Sequence, residues 1–99
     1  MLTDKNYKQG RTHLESGDFD QAIGYFAKSA QKGNADAMFT LGVMYISGQG
    51  VMQDIRMAKR YILQAKQHNH PVAMFYWDIV KDFKQEDIID VEAEEHEHA

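Results

Sequence analysis

The chain contains no cysteine. No disulfide can staple it, and neither a thiol nucleophile nor a thiolate metal site is available. It has one proline, Pro71, so long helices are possible on either side of it. No run approaches the roughly 18 apolar residues of a membrane span. The opening Met1-Leu2-Thr3-Asp4-Lys5-Asn6 lacks the apolar core of a secretory signal. These absences together point to a cytoplasmic chain with no membrane partner. Positive charge is missing from the end: residues 86–99 hold seven acids (Glu86, Asp87, Asp90, Glu92, Glu94, Glu95 and Glu97) and no Lys or Arg. Residues 1–85 carry all 11 bases and the other eight acids, a net +3. That balance has no basic stripe of the kind phosphate-backbone binding requires, so nucleic acid is not an expected partner.

At 99 residues with 43% apolar and 26% charged content, the chain suits one small domain around a modest core. Its most informative feature is self-similarity. Ala37-Met38-Phe39 returns as Ala73-Met74-Phe75, and the same shift of 36 residues sets Ala22 on Ala58, Tyr25 on Tyr61, Ala27 on Leu63 and Ser29 on Ala65. A period in this range marks stacked helical hairpins, each unable to bury its apolar face alone.

Five helices follow from the pattern. The first spans about Asp4–Glu15 and stops at Ser16-Gly17, where glycine can take the left-handed conformation that ends a helix. Asp18, with Gln21 three residues on, caps a second helix over Phe19–Lys32, striped by Phe19, Ala22, Ile23, Phe26 and Ala30. A third runs over Ala35–Ser47, where Gly42 lets a neighbouring helix approach closely. After the turn Gly48-Gln49-Gly50-Val51, Asp54 caps a fourth over Ile55–Gln67, striped by Ala58, Tyr61, Ile62 and Ala65. His68-Asn69-His70 reads as an exposed connector, and Pro71 suits the first turn of a fifth helix extending to Phe83. Beyond it, Ile88, Ile89 and Val91 can dock as a short sixth helix over the open end of the stack. Fraying is expected after Glu92.

The segment Ala37-Met38-Phe39-Thr40-Leu41-Gly42-Val43-Met44-Tyr45-Ile46-Ser47-Gly48-Gln49-Gly50-Val51-Met52-Gln53-Asp54, followed by Ala58, Tyr61 and Ala65, resembles a Sel1-like repeat, a relative of the tetratricopeptide repeat with a longer turn inside each hairpin. The opening stretch, with Gly10, Gly17, Phe19, Ala22, Phe26 and Ser29, is closer to an ordinary tetratricopeptide repeat. In a third copy Trp77, Asp78 and Lys81 stand where Leu41, Gly42 and Tyr45 stood, as in a degenerate terminal cap. The resemblance implies an all-α fold, a right-handed α-solenoid of antiparallel helix-turn-helix repeats with five to six helices. The repeats fall at 3–34, 35–70 and 71–92. The helical domain spans 1–85, and 86–99 forms an acidic cap and tail. It also implies a scaffold or adaptor whose concave face is built from the first helix of each hairpin.

On that face Tyr7, Phe39 and Phe75 share one register, and Arg11, Val43 and Ile79 lie one turn along. Such a groove suits an amphipathic helix or an extended peptide, with Arg11 available to a carboxylate. The same residues can equally serve helix-on-helix packing. Tyr76 and Trp77 offer a weak dimer contact at the C-terminal end unless Ile88 and Ile89 cover them; monomer and weak homodimer both fit. His68 and His70 supply too few ligands for a structural zinc, and His96 and His98 belong to a solvated tail. Gly48-Gln49-Gly50 lacks the strand, lysine and hydroxyl of a nucleotide loop. His13 beside Glu15 makes no constellation with a nucleophile, and Lys59, Arg60 and Tyr61 are too few for a nucleic-acid site. No cofactor, metal or catalytic residue is expected.

The sequence therefore reads as a non-enzymatic module binding a protein or peptide in its groove. The alternative is a small inhibitor or immunity-type protein that occludes a partner enzyme with the groove and the acidic tail. The tail is expected to fold back on Arg56, Lys59, Arg60 and Lys66, or to compete with an acidic partner for them.

Overall fold

A computed structural model describes residues 4–85. Five helices follow in order: α1 (Lys5–Glu15), α2 (Phe19–Gln31), α3 (Ala35–Ser47), α4 (Ile55–Gln67) and α5 (Pro71–Val80). Among the described residues there is no strand. Each helix packs on the next in sequence. The result is the helical repeat solenoid expected of stacked hairpins, α1 with α2 and α3 with α4.

Every helix begins where the sequence offers an acceptor for its unpaired N–H groups. Asp4 accepts from the Tyr7 backbone N–H at 3.0 Å, Asn34 from Ala37 at 3.0 Å, Asp54 from Met57 at 3.0 Å, and Asp18 from Gln21 at 3.5 Å. The fifth cap is a histidine. His70 Nδ1 accepts from the Ala73 N–H at 3.1 Å, with Pro71 in the first turn. This overturns the reading of His70 as part of an exposed connector: it is only 8% exposed.

Helix α5 also ends three residues short of Phe83. Lys81 caps it, and Phe83 turns back toward α4, where its carbonyl accepts from Lys59 Nζ at 3.2 Å. The half-buried Phe83 ring packs on the core. In the turn between α3 and α4, Gly48 takes the left-handed conformation (φ 71°) and closes α3. The Gln53 side chain donates to the Ile46 carbonyl at 2.8 Å, and the Asp54 N–H donates to Tyr45 O at 3.0 Å. The glycines of this segment are thus turn residues.

The core is one cluster threaded through all five helices, with Phe26, Leu41, Met44, Ile62 and Val80 fully buried. Two glycines set how closely the hairpins close. A Cβ on Gly10 would fall 2.7 Å from the Phe26 ring, and one on Gly42 would fall 2.4 Å from Ile62 Cδ1 and 3.2 Å from the Ala58 carbonyl. Phe26 and Ile62 are themselves 36 residues apart, so both hairpins use one device. In α5 the corresponding position is Asp78, which is exposed and lies 3.7 Å from Lys81 Nζ.

A second repeated device joins one hairpin to the next. The free oxygen of the Asp4 cap accepts from Ser29 Oγ at 2.5 Å and from Asn34 Nδ2 at 2.8 Å, joining the starts of α1 and α3 and the end of α2. One repeat later, Asp36 accepts from His70 Nε2 at 2.9 Å, joining the starts of α3 and α5. Because Nδ1 already accepts a backbone N–H, the ring is the tautomer that carries its proton on Nε2. The Ser29 hydrogen bond, followed by those from Tyr7 and Asn34, holds the Asp4 carboxyl below its ordinary range against an opposing cost of burial.

Candidate interaction groove

Helices α1 and α3 are the first helices of the two hairpins, set in a common register by Gly10 and Gly42, and the 36-residue shift carries that register on to α5. In that register Tyr7, Phe39 and Phe75 are equivalent, as are Arg11, Val43 and Ile79. The structure gives the equivalent side chains different environments.

On α1, the half-buried Tyr7 ring tilts against Phe26 with centroids 5.7 Å apart, and its hydroxyl accepts from Arg11 at 3.4 Å. Arg11 is exposed, pairs with Glu15 at 3.7 Å, and is held more firmly charged, chiefly by the Tyr7 hydroxyl. On α3, Phe39 stacks on His70 at 4.7 Å and meets the edge of Tyr76 at 5.5 Å, while Val43 is half-buried. Tyr7 and Phe39 therefore support the stack. On α5, Phe75 is 76% and Ile79 60% exposed.

Val72 belongs with them and was not singled out from the sequence. It is 51% exposed and lies three residues before Phe75 and seven before Ile79, so the three form a single helical stripe. The signal was available, since Val72 is the counterpart of Asp36 at the 36-residue shift. His70 was missed in the same way: it stands 36 residues after the cap Asn34 and directly before a proline.

The other candidates have structural places. Tyr76 and Trp77 are half-buried against the core. His13 stacks on Tyr25 at 5.4 Å and lies 3.6 Å from Asp18, bracing the α1–α2 turn. Tyr61 stacks on Tyr45 at 6.0 Å, and burial pushes its phenol upward. Among the described residues no group of three His, Asp or Glu side chains is placed to hold a metal, and no helix is long and apolar enough to cross a membrane. Ile88, Ile89, His96 and His98 lie outside the described residues.

Comparison with known proteins settles the family. A sequence model of the Sel1 repeat matches residues 5–34 and 35–70. The chain belongs to the Sel1 repeat family. Its two matched repeats are the hairpins α1–α2 and α3–α4, and α5 lies beyond them. Sel1 repeat proteins are generally non-catalytic protein-interaction modules. Among curated relatives, the chain is 31% identical over 67 residues to the ERAD-associated E3 ubiquitin-protein ligase component HRD3 of Candida glabrata, an alignment covering 68% of this chain and 8% of that protein. It is 42% identical over 50 residues to the ERAD-associated E3 ubiquitin-protein ligase component HRD3B of Arabidopsis thaliana, covering 50% of this chain and again 8% of the relative. The chain thus spans a small fraction of the curated relatives it matches. No solved structure matches it significantly.

Proposed function

We propose that this chain is a protein-binding module whose ligand, an amphipathic helix or extended peptide, lies along the first helices of its hairpins. Phe75, Ile79 and Val72 serve as apolar anchors, Phe39 and Val43 continue the apolar surface, and Tyr7 with Arg11 offers a polar end. One observation carries the reading: the stripe on α5 leaves three large apolar side chains more than half exposed in a chain of only 99 residues. Single exposed apolar residues are ordinary, but a contiguous stripe marks a surface meant to be covered. Membership of an interaction family supports the same reading.

The test is capture of partners by wild type and by the double variant Phe75→Glu/Ile79→Glu, both first checked by circular dichroism and thermal melting. A partner retained by wild type and released by an equally stable variant places the ligand on α5. Equal retention moves the binding surface elsewhere. The inhibitor reading makes a different demand, because its affinity would fall steeply with salt whereas an apolar groove's would not.

A further inference from the structure

At the start of α4 lies a concavity of about 290 Å³ lined by Ile55, Phe83, Gln85 and the bases Arg56, Lys59 and Lys84, none of them a candidate groove residue. Two hydrogen bonds shape it: Lys59 Nζ donates to Phe83 O at 3.2 Å, and the Ile55 N–H donates to Gln85 Oε1 at 2.7 Å. Helix α4 carries Arg56, Lys59, Arg60 and Lys66 and no acid at all. Of the acids near it in sequence, Asp54 uses a carboxylate oxygen on the Met57 N–H, and Asp82 directly precedes Phe83. Among the described residues, none of Arg56, Lys59 and Lys84 has a carboxylate oxygen within 4.0 Å. The site combines apolar lining with three bases that form no ion pair among the described residues.

Gln85 lines this concavity, and residues 86–99 follow it directly. They bring seven acids, no base, and the aliphatic side chains Ile88, Ile89 and Val91. We infer that the concavity docks an acidic segment with aliphatic anchors, and that its occupant is the chain's own residues 86–99. Charge and apolar lining both match. The covalent tether supplies an effective concentration on the order of millimolar, so an intrinsic affinity of only about 1 mM fills the site roughly half the time. An acidic partner approaching α4 must then displace this segment, and salt weakens its hold.

The absence of native cysteine permits a clean test on the full chain. A nitroxide is attached through Glu95→Cys, and amide signal intensities are read with the label oxidised and reduced. The expected result is at least a twofold intensity loss at Ile55, Arg56, Lys59 and Lys84. The loss should be largely reversed in high salt and in the Arg56→Glu/Lys84→Glu variant, whose changes fall on exposed side chains. Uniform or absent broadening overturns the inference, as does broadening centred on Val72–Ile79. So does equal broadening when labelled and isotope-enriched chains are separate molecules in one tube, because the contact would then not be made in cis. None of these outcomes depends on whether the groove binds a partner.

Discussion

Glycine 42 illustrates how much one missing methyl group can determine. With Ile62 Cδ1 only 2.4 Å from where a Cβ would stand, Gly42→Ala forces α3 and α4 apart or drives Ile62 from its rotamer. The expected cost is about 1–3 kcal/mol, read from urea unfolding. Removing the obstructing carbon with Ile62→Val should make the double variant less unstable than the two single effects summed. Asp4 gives a residue-scale prediction in pH. Its carboxyl titrates lower folded than unfolded, so its contribution is fully present above the unfolded value near 3.9 and is lost as pH falls through the folded value. Asp4→Ala should cost about 1–2 kcal/mol at neutral pH. It should also show a shallower loss of stability than wild type as pH is lowered below about 4, measured by thermal melts at stepped pH.

Helix α5 is held at its start by a single side chain. His70 caps the helix, hydrogen-bonds Asp36 and lies flat under Phe39. His70→Ala should cost about 2 kcal/mol, and amide exchange should quicken in α5 before α1 and α2 respond. His70→Asn should recover much of the loss, since Asn34 caps the preceding repeat in the same place. Helices α3 and α4 were legible to the residue because the repeat pattern, the cap Asp54 and the glycine turn agree, although the capping role of Asn34 emerged only in the structure. The end of α5 was not. Ile79, Val80 and Phe83 keep helical spacing, yet the bond from Lys59 to Phe83 O belongs to tertiary structure and has no local signature. The repeat register that aligns Tyr7, Phe39 and Phe75 was legible, but not the unequal burial along it. Phe39 differs from Phe75 only because His70 and Tyr76 reach it, and spacing alone treats the two positions alike.

Along the whole molecule one register therefore changes its role. Phe39→Ala should cost about 2–4 kcal/mol, because it empties space between α3, His70 and Tyr76. Phe75→Ala should change stability by less than about 0.5 kcal/mol. Chemical denaturation of the two variants separates core from surface without a partner in hand. Similar large losses in both would place Phe75 in the core and remove it from the groove.

The two devices that repeat also determine where this array could be lengthened. The Asp4–Asn34 and Asp36–His70 links form rungs, and Gly10 under Phe26 and Gly42 under Ile62 form seats. A further copy of residues 35–70 spliced between His70 and Pro71 would find a rung and a seat ready on both sides. The same copy added after Val80 would meet Val72 where a rung needs an acid and Asp78 where a seat needs no side chain. The molecule is a ruler to be extended between its repeats, each inserted unit adding one more Phe39 and Val43 to the same register.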